Sequence, residues 1–161
     1  MRSALVLFVL LATATAARAD VHEVKAGKVS VDLPKKWAVD TKDDVIRAVS
    51  PDNQVAWVLV VVDTPEVKAA LTRLEGELYS AVQGLRWIDS TKKKKIHTLP
   101  STIVQGVGVS ARATQLDVLV VVSGPTPAKK GIIMFAAVEH DKLAANNKTI
   151  MAAFNSLKPT K

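Results

Sequence analysis

Val55-Ala56-Trp57-Val58-Leu59-Val60-Val61-Val62 is the stretch that decides the fold, an apolar run without a single charged residue. A strand with one wet face alternates apolar and polar side chains. An unbroken run of strand formers therefore predicts a central strand, with both faces of its sheet covered. Immediately upstream, Pro51-Asp52-Asn53 carries turn chemistry, and residues 45–50 form a second short run of strand formers. The two runs read as a hairpin. Further back, Val29, Val31 and Leu33 alternate with Ser30 and Asp32, which predicts a half-buried strand over 28–33 that Pro34 ends.

Downstream, Thr64-Pro65-Glu66 reads as a helix start. Thr64 is the expected N-cap, and Pro65 falls at the first helical position, where its missing N–H does no harm. Val67, Leu71, Leu74, Leu78 and Val82 make one apolar stripe, so the helix is expected to run to about Gln83 and to close in a left-handed turn at Gly84. Strand patterns then return at 86–99, 101–114, 115–123 and 130–139, with connections short enough for an antiparallel meander. Gly124, Pro125 and Pro127 forbid regular pairing between the last two. A final amphipathic helix is expected from about 142 to 157, capped near Asp141, with Leu143, Ile150, Met151, Phe154 and Leu157 near one face. The fold class is α+β, built on an antiparallel sheet of about six to seven strands.

The amino terminus predicts an address. Arg2 supplies a positive start, Ala4 to Ala14 form an apolar run too short to span a bilayer, and Ala17-Arg18-Ala19 fits the small-x-small cleavage pattern. Residues 1–19 thus read as a cleaved signal peptide, and 20–161 as one exported domain, periplasmic or secreted. Cysteine is absent, which excludes thiol catalysis, thiolate metal sites, disulfides and a lipid-anchored cysteine at the cleavage point. No later segment is apolar enough to be expected to cross a membrane. Loss of Arg2 and Arg18 with the leader lowers the formal charge from +7 to +5, a mild excess. Aromatic side chains are few as well, three Trp, three Phe and one Tyr, with Phe8 in the leader. A nucleic-acid partner, which needs a strongly basic face or stacking platforms, is not expected.

Two segments carry a family resemblance. Val29-Ser30-Val31-Asp32-Leu33-Pro34-Lys35-Lys36-Trp37 is similar to the strand-Pro-x-x-Trp opening of the PsbP-like superfamily. Residues 150–159, "IMAAFNSLKP", resemble its closing helix and short Lys-Pro tail. That superfamily includes the extrinsic photosystem II protein, a nuclear-import factor that binds the small GTPase Ran, and many exported bacterial proteins of unknown role. The resemblance implies an antiparallel sheet with helices packed on both faces. It carries over no binding residues, because members bind different partners and share no active site.

Candidate chemistry is sparse. Lys92, Lys93, Lys94 and Lys95, with Lys129 and Lys130, could recognise an anion such as phosphate, a lipid headgroup or an acidic polysaccharide. Strand alternation opposes this, since Lys92 and Lys94 face away from Lys93 and Lys95, and lysines also serve to discourage pairing at an edge strand. Glu139-His140-Asp141 has metal-ligand residue types, but three consecutive residues cannot converge on one ion from a regular strand. Gly108-Val109-Ser110-Ala111-Arg112 lacks the closing glycine of a nucleophile elbow and lies within a predicted strand; a triad of Ser110, His97 and an aspartate would rest on three common residue types alone. Gly124 to Gly131 leads into a strand, not a helix as a phosphate loop does. Asn147-Lys148-Thr149 is a glycosylation sequon in mid-helix, and Trp37, Trp57 and Trp87 read as core packing. The expectation is a non-catalytic binding or assembly protein of the cell envelope, with no cofactor and no metal. The alternatives are an anionic-surface binder using the lysines and, behind it, an envelope hydrolase.

Overall fold

The computed structural model describes residues 19–42, 44–78 and 82–161. The proposed leader lies outside the described residues except for Ala19, which opens the first strand. The described residues form ten strands and two α-helices, in the order β1 (Ala19–Val24), β2 (Val29–Pro34), β3 (Ala38–Lys42), β4 (Val45–Val49), β5 (Val55–Val62), α1 (Val67–Leu78), β6 (Val82–Ile96), β7 (Leu99–Ser110), β8 (Gln115–Ser123), β9 (Gly131–Glu139), α2 (Leu143–Asn155) and β10 (Lys158–Pro159). Seven strands make the main sheet, ordered β3-β4-β5-β9-β8-β7-β6, and three make a small sheet, β1-β2-β10. Every pairing is antiparallel.

The run at 55–62 is an interior strand, paired with β4 on one side and β9 on the other. Its two faces are not equally dry. Val55, Trp57 and Leu59 are fully buried, Val58 and Val60 are half-buried, and Ala56 is exposed. Across the sheet, alternation sorts the side chains into two clusters. One joins Val55, Trp57, Leu59, Leu119, Val121, Ile132 and Met134 to Val29, Val31 and Leu33 of the small sheet and to Ile150, Phe154 and Leu157 of α2. The other joins Val118, Val120, Val122, Ile133 and Phe135 to Ala70, Leu74 and Leu78 of α1.

Several features depart from the sequence reading. A second sheet is present, because β1 and the two-residue β10 flank β2; neither has an apolar alternation of its own to announce it. The strand β3 was not expected either, for the same reason. Helix α1 is described as far as Leu78 and does not reach Gln83, because Val82 begins β6, opposite Ser110. Residues 79–81 lie outside the described residues. Val82 is buried, and burial is all that a three-to-four spacing registers, so periodicity alone could not separate helix from strand there. Gly84 does take a left-handed φ of 59°, but at a β-bulge between Gln83 and Arg86, not at a helix end. Lastly, Asp141 does not cap α2. The chain enters that helix through a 3-10 turn over His140–Lys142, no side chain caps it, and the Asp141 carboxylate pairs with Lys142 Nζ at 3.0 Å. Thr64 Oγ1 accepts the Glu66 N–H at 3.3 Å, but α1 begins only at Val67, with the Glu66 carbonyl accepting the Ala70 N–H at 3.0 Å, so Thr64 and Pro65 stand ahead of the helix and not at its cap and first position.

Candidate binding surfaces

The lysine run lies on β6, an edge strand of the main sheet, where a second bulge between Ile88 and Lys92 sets its register. Lys92 to Lys95 pair with Ile103 back to Pro100 on β7, close to the tight turn at His97. At this end of the sheet the turn into α1 and the β8–β9 loop come together. An open cavity of about 520 Å3 results, lined by Lys93, Lys94 and Lys95, by Pro100, Ser101 and Thr102 of β7, and by Pro65, Val122 and Gly124. Among the described residues, no acidic side chain lines it. Lys94 donates a hydrogen bond to the Asn155 side chain on α2. Lys93 and Lys95 make no ion pair among the described residues.

The remaining predicted lysines are not part of that wall. Lys130 forms a 2.6 Å ion pair with Asp63, both side chains well exposed. Such a pair is worth about 0–1 kcal/mol. Lys129 holds a left-handed φ of 60° in the β8–β9 loop, where its N–H bonds the Thr126 carbonyl at 2.8 Å. Lys92 lies outside the lining. Three of the six lysines therefore share one concavity, which strand alternation did not foresee, because a cavity at a strand end is reached from both faces.

Histidine chemistry is dispersed. The His140 Nδ1 meets Asp117 Oδ2 at 2.8 Å, with Asp117 largely buried and His140 mostly exposed. The two are 23 residues apart in sequence, so no local motif could have signalled the pair. Its neighbours in sequence point elsewhere, Asp141 to Lys142 and Glu139 into a cleft beside α1. Among the described residues no group of three His, Asp or Glu side chains could hold a metal ion. His97 sits exposed in the β6–β7 turn with φ 51°, at the opposite end of β7 from Ser110. Twelve residues of strand put roughly 30 Å or more between them, so a Ser110-His97 triad is not assembled. Ser110 Oγ instead accepts the Arg112 and Thr114 N–H groups at 3.3 and 3.2 Å and closes the β7–β8 turn. Of the tryptophans, Trp57 is fully buried against Phe154, with ring centroids 6.3 Å apart. Trp37 and Trp87 are half-buried beside the two clusters, and the Trp87 indole N–H donates to Glu75.

No protein-family model matches the chain, and no curated protein matches it in sequence. Solved structures do match. The cyanobacterial PsbP protein CyanoP of Synechocystis sp. PCC 6803 superposes with a TM-score of 0.65 at 9% identity, over 91% of this chain and 95% of that one. The Ran-binding protein Mog1p of Saccharomyces cerevisiae gives 0.57 at 10% identity, over 91% and 97%. LpqN of Mycobacterium tuberculosis, involved in cell envelope biogenesis, gives 0.57 at 11% identity, over 83% of each chain. The chain thus has the PsbP-like fold, as its opening and closing segments implied. At these identities the likeness is one of fold. Among the described residues no helix is long and apolar enough to cross a membrane.

Proposed function

We propose that this chain is an exported, non-catalytic binding or assembly protein of the cell envelope, with residues 1–19 removed as a signal peptide and 20–161 acting as one domain. In this reading helices cover both faces of the main sheet, α2 with the small sheet on one and α1 on the other. The observation that supports it is the absence, among the described residues, of any place where nucleophile, base and orienting group converge. His140 and Asp117 form an isolated pair. They belong to the α2 face, whereas Ser110 lines the cleft on the α1 face. The fold likeness points the same way: one neighbour is a Ran-binding protein and another takes part in envelope biogenesis. Crosslinking the protein in its native envelope tests the proposal. Stoichiometric capture of one defined envelope component supports it; turnover of an ester or peptide by the purified chain, lost on His140→Ala, overturns it.

A second reading, an anionic-surface binder using Lys92–Lys95 with Lys129 and Lys130, is favoured by the cavity that Lys93, Lys94 and Lys95 line, with no acidic side chain among its described residues. Attraction of this kind is screened by salt, so binding to anionic vesicles should weaken steeply between 50 and 200 mM NaCl. Gln at Lys93, Lys94 and Lys95 should abolish it. Binding that survives both changes would exclude the lysines.

A further inference from the structure

Between α1 and strands β4, β5 and β9 runs a trough that none of the residues singled out in the sequence predicts. Its inner part is a cavity of about 220 Å3 walled by Val58 and Val60 of β5, Leu74 and Leu78 of α1, and Ile133 and Phe135 of β9. It opens into a wider cleft of about 490 Å3 that shares Val58, Leu78 and Phe135 with it and extends past Ala56 to Arg112 and Glu139. The cause lies in β5. On its α2 face Val55, Trp57 and Leu59 are fully buried and Val61 is half-buried, while on the α1 face Val62 is buried, Val58 and Val60 are half-buried and Ala56 is exposed. Apolar side chains left at a concave surface favour an apolar occupant.

The charge at the rim narrows the choice. Among the described residues, Arg47 of β4 is the one charged residue lining the inner cavity. It is exposed, and it makes no ion pair among the described residues, although Asp40 is its cross-strand neighbour. A guanidinium at the mouth of an apolar slot complements a carboxylate or similar anionic head attached to a hydrocarbon chain. The two connected cavities are of the size that encloses a small ligand. We propose that this trough binds a single-chain anionic amphiphile of the fatty-acid class, with its chain along Val58, Leu78 and Phe135 and its head at Arg47. This goes beyond the envelope-binding reading and does not depend on it, since a captured protein partner neither requires nor forbids a bound acyl chain.

Titration of the protein with cis-parinaric acid, a fluorescent fatty acid, followed by displacement with saturated acids, is the test. Saturable binding of one probe per chain is expected. Each two methylenes added between octanoate and dodecanoate should strengthen displacement roughly tenfold, because buried methylenes carry the affinity. Arg47→Gln should weaken dodecanoate several-fold and leave dodecanol unchanged. Val58→Trp should abolish binding by filling the slot, and Ala56→Trp, at an exposed position of the same trough, serves if the first variant does not fold. The proposal is overturned by an absence of saturable probe binding, by affinity indifferent to chain length, by binding that persists in a folded Trp variant, or by binding that follows Lys93 and Lys95 rather than Arg47.

Discussion

At Gly131, where β9 begins, the turn leading into α1 passes directly overhead. A Cβ built there would lie 2.6 Å from the Thr64 carbonyl oxygen and 2.8 Å from the Pro65 nitrogen, and backbone atoms cannot swing aside as a side-chain tip can. Gly131→Ala should therefore cost about 3 kcal/mol, read as a fall in the urea midpoint. Gly84 is the control: it needs its left-handed φ of 59° but has open space around it, so Gly84→Ala should cost only about 1 kcal/mol. Equal losses would mean that steric contact at Gly131 is not the cause. Trp57 offers a second contrast. Its ring fills the core against Phe154, yet its indole N–H has no hydrogen-bond partner among the described residues. Trp57→Phe gives up buried surface but also removes that unpaired donor, whose desolvation costs about 1–3 kcal/mol. The opposing effects should leave a net loss below about 1.5 kcal/mol, against about 3–5 kcal/mol for Trp57→Ala.

The β4–β5 turn shows how a local sequence sets an element boundary. Ser50 Oγ donates to Asp52 Oδ1 at 2.6 Å and accepts the Val55 N–H at 3.0 Å, while the Gln54 N–H also reaches Asp52, and Asn53 supplies the left-handed residue with φ 58°. The Ser50 hydroxyl first, then the Gln54 N–H, hold the Asp52 carboxyl below its ordinary 3.8. Since the folded value is the depressed one, the stabilisation is complete above about pH 4 and lost as pH falls through the folded value. An NMR titration should find the Asp52 midpoint below 3.8, and Ser50→Ala should return it toward that value. At the other side of the main sheet, β6 is an edge with lysines at four successive positions. Replacing Lys93 and Lys95 with Thr keeps strand propensity and removes the charges that oppose pairing with another chain. Concentration-dependent oligomers should then appear in sedimentation; a monomer at all concentrations would show that the bulged backbone alone protects this edge. Elements with a strong apolar pattern or punctuation, such as β2, β5, β8 and a helix shortly after Thr64-Pro65, were legible from residues alone. Strands β1, β3 and β10 were not, because a short strand at a sheet edge is held by pairing and bears no periodic signal.

Across the whole molecule, the described chain ends meet on β2. The strand β1 pairs along one side of it, and Lys158 and Pro159 pair along the other. Ser156 Oγ accepts the Asp32 N–H at 2.8 Å, and the Thr160 N–H bonds the Lys28 carbonyl at 2.9 Å. Ending the chain after Leu157 would strip the Lys158–Pro159 pairing and the Thr160 bond while leaving α2 and the Ser156 bond whole. At about 1 kcal/mol for each net hydrogen bond lost, the variant should fall by about 1–3 kcal/mol in a single cooperative transition. A separate early transition would instead mark the small sheet as an independent unit. The sequence by itself determined the class of fold, the interior position of the 55–62 strand, the meander that follows it and the exclusion of cysteine chemistry. Those features rest on composition and on periodicity between near neighbours, which any local reading can follow. Only the tertiary structure decided that Val82 belongs to β6 and not to α1, that a second sheet closes on β2, that Asp117 reaches His140, that three lysines share a cavity, and that a trough lies beside α1. Each of these depends on contacts between residues far apart in the chain, and such contacts are set by how whole elements pack.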